Sequence, residues 1–362
     1  MNKKQIKTVL VLVVSFCVIS IAVVNAQPRV EKPTKRVTLT FNWEAAYGRA
    51  NSTVWPFRPG GRFEQLVTRY TDGMLKLDIK EKLYGLTESI FAIGDGRVNM
   101  GTQSIPAASG TYPLLDFGAI PGFFSDPPNG AYEWAEAFLD PKMMAVWDKY
   151  TRPAGFKVLG ASLSMANNTL WGNKAIKVLS DFKGVKVRTS GRTQTATLKT
   201  LGASPVTLSM AEVEDAITRG TVDAVATSKS YGAERGLIDL CKFASVWPIT
   251  PIFAQMIAVN VKVWDGLHPF YKEGLLKAAA QLTREMAAVA EQLDISYTLW
   301  IRSSKCQLVV PAESEVKRAM ELMRPVVKEW LETAGPYGKE VLHIGARYAR
   351  GPSVNIVAEM AK

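Results

Sequence analysis

The 362-residue chain predicts an α/β fold of two lobes facing each other across a cleft, with one long helix spanning both. Three observations carry that prediction. Residues 184–227 read as strand, helix, strand, helix, strand. Residues 37–102 repeat the same order nearer the N-terminus. From Pro269 to about Ser303, apolar residues recur at helical spacing with no further proline.

The central stretch is the most informative. Val185–Arg188 reads as a strand ending on Arg188, and Thr193–Leu201 as a helix stopped by Gly202. Val206–Leu208 is a second strand. Ser209 and Glu212 then stand at capping-box spacing, where hydroxyl and carboxylate satisfy orphan amides at a helix start. Val213, Ala216 and Ile217 form one apolar helical face that ends at Gly220. Val222–Ala226 is the third strand, followed by Thr227. Helical crossovers make such strands parallel. Ligands of open α/β sheets bind outside the carboxyl ends of the strands. The stretch therefore aims Arg188, Met210 and Thr227 at one place, which marks an anion-binding site.

The N-terminal repeat runs through strand Val37–Phe41, helix Phe63–Tyr70, strand Met74–Ile79, helix Leu86–Ile93 and strand Val98–Thr102. Its strand ends carry Asn42 and Trp43, and Thr102, Gln103 and Ser104. Tyr112–Phe124 reads as a packed loop; Tyr132–Leu139 and Pro141–Tyr150 read as helices. Strand Phe156–Leu163 takes the chain into the second lobe, and Ile257–Asn260 lies where it returns. Pro269 suits a first helical turn. Leu275, Ala279, Leu282, Met286, Leu293 and Trp300 follow its period. At about 1.5 Å per residue this helix is roughly 50 Å long, longer than the roughly 30–35 Å of one lobe. Glu313–Thr333 is helical and divided or kinked at Pro325. The expected division is 27–163 with about 255–300 as the first lobe, 164–254 with about 301–340 as the second, and 341–362 as a C-terminal tail.

Lys3, Lys4 and Lys7 precede an uncharged apolar run, Thr8–Val24, and Val24-Asn25-Ala26 fits a small-x-small cleavage site. Residues 1–26 thus read as a cleaved signal peptide and the mature chain as periplasmic. A retained anchor fits less well, because the run is short for a spanning helix. The formal charge of +11 falls by three when those lysines leave. The remaining basic residues are scattered and no nucleic-acid signature is present, so no nucleic-acid partner is expected. Export permits a disulfide, and spacing leaves Cys241 and Cys306 open to a bridge or to two buried thiols. The sequence holds no G-x-S-x-G, H-E-x-x-H, P-loop or G-x-G-x-x-G. His268 reads as a helix-start residue and His343 as surface. Neither an enzyme nor a cofactor nor a metal is expected.

Asp181-Phe182-Lys183-Gly184-Val185-Lys186-Val187-Arg188 resembles the D-L-K-G-L-K-I-R signature of solute receptors of tripartite ATP-independent periplasmic (TRAP) transporters. Leu201–Val206, Ala211-Glu212-Val213 and Gly220–Ala224 continue that pattern in order and spacing. Asn260–Leu267 is similar to the later N-K-x-x-W-x-x-L stretch, with Val261 replacing the lysine. Asp72-Gly73 and Gly96–Gly101 fit the first lobe more loosely. The resemblance implies a two-lobed periplasmic-binding-protein fold closing over one small organic acid, with Arg188 pairing its carboxylate. It implies a pocket position for Met210, usually aromatic, and a polar one for Thr227. Asn168 lies near a second ligand arginine of some members, which this chain lacks. Gln103, Trp171, Tyr231 and Trp43 are further candidates at the cleft. With Met210, the aromatic residues favour an apolar or aromatic acid over a sugar acid. The implied partners are the carboxylate and the TRAP membrane subunits, and the receptor is expected to be monomeric. An exported ligand sensor or an unrecognised hydrolase is the alternative on this fold.

Overall fold

The computed structural model describes residues 31–44, 55–164, 166, 168–208 and 212–362. The expected signal peptide, Met210 and the Ser209 half of the capping box lie outside them. Eleven strands occur among the described residues: β1 (Val37–Trp43), β2 (Leu75–Glu81), β3 (Met100–Ser104), β4 (Phe156–Ser164), β5 (Thr169–Gly172), β6 (Lys186–Thr189), β7 (Ser204–Thr207), β8 (Ala224–Thr227), β9 (Phe243–Val246), β10 (Phe253–Asn260) and β11 (Gln307–Val309). They form two sheets, ordered β2-β1-β3-β10-β4 and β11-β9-β5-β8-β6-β7.

The two repeats read from the sequence are the parallel parts of these sheets. β1 pairs parallel with β2 and β3, and β6 with β7 and β8. In each unit the first strand lies between the second and third. Boundaries move by one or two residues. β8 starts at Ala224 because the Val222 amide still donates to Ala216 O of the preceding helix.

Strand side chains alternate between faces, and each sheet is covered on both. Leu39, Phe41, Ile257 and Val259 pack beneath helix Arg62–Tyr70 and the first half of the long helix. Val158, Ala161, Met256 and Ala258 face the opposite layer, where Phe117, Trp134, Phe138 and Trp147 pack ring against ring. Burying each such ring stabilises the fold by about 1.5–3 kcal/mol. In the second sheet, Leu170 and Val187 face one helical layer; Trp171 and Val225 face the other.

The long helix is Pro269–Ser303, 35 residues, about 50 Å at ~1.5 Å per residue. His268 caps it through Nδ1, which accepts from the Phe270 amide at 3.2 Å. Its first half lies on β4, where Gly160 leaves room for Ala279 and Thr283. Its second half reaches the other lobe, where Asp294 meets Lys229 at 2.7 Å and Ile301 enters the core. Glu313–Glu321 and Arg324–Ala334 are separate helices, with Pro325 in the first turn of the second.

Two expectations need correction. Tyr112–Phe124 holds a 3-10 helix, Pro113–Ala119, whose Leu114, Leu115 and Phe117 are buried. Residues 341–362 do not form a tail. Val341, Leu342 and Ile344 of helix Gly338–Ala346 and Val357 of helix Val354–Met360 lie in the first lobe's core. Their spacing gives each short helix one apolar face, which is stable only when covered. Cys241 and Cys306 are free, buried thiols. Burial pushes Cys241 up to about 12 and Cys306 up to about 11, so both stay protonated at neutral pH.

Gly232 approaches the Trp171 indole so closely that a Cβ there would lie 2.2 Å from the ring. Gly232→Ala should therefore lower the unfolding free energy by about 1–3 kcal/mol, the usual loss for overpacking. Urea titrations of the two proteins measure it, and an unchanged midpoint would show that this contact does not constrain the lobe.

Candidate functional site

The carboxyl ends of the parallel strands in the two lobes meet where the chain crosses between them. Gly191, just past β6, stands against Pro106, just past β3: a Cβ on Gly191 would lie 3.5 Å from Pro106 Cβ. Beside them Thr193 Oγ1 donates to Asp116 Oδ2 at 2.9 Å, a hydrogen bond between lobes.

β6 delivers Arg188 to this edge. The residue is 6% exposed, and its Nε donates to Leu208 O at 3.0 Å, which fixes the guanidinium plane. Thr227, the last residue of β8, lies opposite Thr169 of β5. Asn168 comes immediately before Thr169. Arg188, Thr227 and Asn168 are thus brought to one edge of one sheet. Asn168 also ties the crossing: its carbonyl accepts from Trp247 N at 2.7 Å, and its Nδ2 donates to Asp126 Oδ1 at 3.2 Å. Tyr231 stands on helix Lys229–Glu234, which begins at this edge; its half-buried hydroxyl accepts from Arg235 at 3.2 Å.

The other candidates are placed differently. Trp171 is 0% exposed and packs in the second lobe's core, with its indole N–H donating to Ser228 O. Gln103 is fully buried and engaged at both ends: Oε1 accepts from Ile90 N, and Nε2 donates to Leu86 O and Ser104 O. Neither has surface left for a ligand. Trp43 lies largely in the first lobe's core. Strand alternation explains all three, because each points to a face that a helical layer covers.

Sequence reading passed over several buried polar groups. Glu44 follows Trp43 at the end of β1 and is 3% exposed. Its amide donates to Thr102 Oγ1 at 3.4 Å, and its carboxyl is buried beside the Ser104 backbone. Burial pushes its pKa up to about 8, and the nearby Ser104 backbone offsets only part of that. Gln255 of β10, opposite Ser104, has a buried Oε1 without a partner. Lys229, two residues past Thr227, forms a buried ion pair with Asp294 of the long helix. Burial pushes Asp116 and Glu291 up to about 7. Among the described residues no cluster of His, Cys, Asp or Glu is placed to hold a metal, and no helix is long and apolar enough to cross a membrane.

Three buried carboxyls, Glu44, Asp116 and Glu291, have folded pKa values above their ordinary ones. Each favours the folded state most below its unfolded value, and that contribution drains as pH rises through the folded one. The melting temperature should therefore fall between about pH 5 and pH 8, and fall less in Glu44→Gln. Scanning calorimetry of both proteins across that range checks it; parallel curves would remove Glu44 from the account.

Comparison with known proteins gives the fold a family. The family model DctP, bacterial extracellular solute-binding protein family 7, matches residues 60–333. The C4-dicarboxylate-binding periplasmic protein DctP of Rhodobacter capsulatus is 27% identical over 258 residues, covering 66% of this chain and 72% of that protein. DctP7, a Bordetella pertussis extracytoplasmic solute receptor that binds pyroglutamic acid, superposes with TM-score 0.72 at 19% identity, over 85% of this chain and 99% of that one. A TRAP periplasmic solute-binding protein of Marinobacter aquaeolei VT8, in an apo open structure, gives TM-score 0.75 at 19% identity over 85% and 99%. These proteins are solute receptors and not enzymes. The chain belongs to family 7 of the bacterial extracellular solute-binding proteins, the receptors of TRAP transporters.

Proposed function

We propose that this chain is a periplasmic receptor that holds a small organic acid in its interlobe cleft through Arg188 and delivers it to TRAP membrane subunits for uptake. The observation that carries this reading is the burial of Arg188 at the carboxyl end of β6, oriented by Leu208 O. A guanidinium presents a planar fork that matches a carboxylate at two points. Thr227 and Asn168 stand at the same sheet edge as polar neighbours. C4-dicarboxylate binding in the Rhodobacter relative and pyroglutamate binding in the Bordetella receptor agree with an acidic ligand.

One charged hydrogen-bonded contact contributes about 1.5–3 kcal/mol, whereas a micromolar affinity needs about 8 kcal/mol. The remaining affinity comes from the facing wall and from lobe closure. A ligand drives closure only as far as it binds the closed form better.

A thermal-shift screen of aliphatic and aromatic mono- and dicarboxylic acids should raise the melting temperature, since a ligand of the folded state stabilises it. With an acid so identified, Arg188→Ala should bind at least tenfold more weakly by calorimetry. Arg188→Lys, which keeps the charge and loses the fork, should fall between. Wild-type affinity in Arg188→Ala would refute the carboxylate assignment, and shifts with sugars or amines alone would do so too.

A further inference from the structure

We propose that Cys241 and Cys306 are a redox pair that closes to an intramolecular disulfide in the exported protein, stapling the far end of the long helix to the second lobe's sheet. The proposal does not depend on which ligand the cleft takes. In this structure both residues are thiols.

The two cysteines are distant in sequence and meet through the second sheet. β9 and β11 pair parallel, with Gln307 opposite Phe243. The pairing reaches one residue further back, because the Gln307 amide donates to Lys242 O at 2.8 Å. Cys306 therefore lies beside Lys242, and Cys241 is the residue before it. A regular strand would turn Cys241 to the face opposite Cys306. The backbone instead bends at Lys242, whose side chain is exposed. Both cysteines then enter one apolar core, with Ala244 and Ile301. Neighbouring strands stand about 4.8 Å apart and successive residues advance about 3.3 Å. Those spacings put the two Cα atoms roughly 6 Å apart, within the span of about 4.4–6.8 Å that a disulfide bridges. Cys306 also adds to the raised pKa of Cys241, an effect of near neighbours.

Forming the bond removes one proton from each thiol and two electrons from the pair. A disulfide-bearing oxidant takes up both electrons and both protons and leaves as two thiols. One cysteine thiolate attacks a sulfur of that oxidant to give a mixed disulfide, and the second cysteine displaces it. In the closed core, burial keeps both thiols protonated, so attack there is slow. The exchange belongs to the folding chain, in which a thiol has a pKa of about 8.5. The family is extracellular, and such compartments are oxidising. The bond closes a loop that contains β10 and the whole long helix. Restricting that loop in the unfolded chain favours the folded state. The helix ends at Ser303, three residues before Cys306, so its far end and β9 become one body.

The test is peptide mapping of the processed protein recovered from the exported compartment and alkylated, while unfolded, without reductant. The peptides carrying Cys241 and Cys306 should be found joined and unalkylated. After dithiothreitol they should separate and both take up the alkylating agent. The oxidised protein should melt about 5 °C or more above its reduced form. Cys241→Ala combined with Cys306→Ala should melt alike with and without dithiothreitol, which assigns the difference to this pair. Alkylation of both cysteines in the recovered protein would overturn the proposal, as would a bridge between two copies of the chain. Equal melting of the oxidised and reduced forms would remove the staple. Failure of every acid to bind would leave the disulfide standing, because the mapping reads it without ligand.

Discussion

β4 and β10 pair antiparallel from Phe156 and Asn260 at one end to Ser164 and Phe253 at the other, and both continue into the second lobe. This shared crossing sets the geometry of everything else. It fixes which edges of the two sheets meet, because each sheet grows outward from strands that enter or leave through it. The Trp247 amide bonded to the Asn168 carbonyl holds the two crossing segments together. The long helix lies along the first sheet and is joined to the second lobe by the Lys229–Asp294 pair. A buried pair of this kind adds little net stability, but losing one partner leaves an uncompensated charge. Its consequence here is positional: it holds the start of helix Lys229–Glu234, and with it the end of β8, against a rigid element.

Buried polar side chains are mostly engaged, at the crossing and away from it. Gln103 and Asn260 have bonds at both ends of their amides, and Asn168 at the crossing donates to Asp126. Glu44, Asp116 and Glu291 instead keep their pKa values raised through burial. A stable core tolerates few such groups.

The fold was legible because its signals are periodic. The β-α-β-α-β order, the helix stops at Gly202 and Gly220, and the 35-residue helix all follow from spacing and turn chemistry. The position of Arg188 in β6 was legible because a charged residue ending a strand before a crossover stands out. Trp171 was misplaced because alternation says which residues share a face, but not which face the helices cover. Glu44 was passed over because a single glutamate after a strand carries no periodic signal. Only the pairing of β1 with β3 shows that it stands beside Thr102. The packing of 341–362 was missed for a related reason: short helices broken by glycine and proline resemble a loop until the core they complete is known.

That last packing bears on how the chain folds. Most strands of the second lobe come from one continuous segment, β5 to β9, so its sheet is nearly complete in sequence before β10 begins. The first lobe is discontinuous: Ile90, Met256 and Val357 share one core. Synthesised from its N-terminus, the chain makes most of the inserted lobe's sheet early, and residues 301–326 complete its core later. Its host lobe lacks a wall until residues beyond 341 are present. Contacts so distant in sequence slow folding, because long loops must close before they are rewarded. A chain built this way stays without its complete hydrophobic core through most of its synthesis.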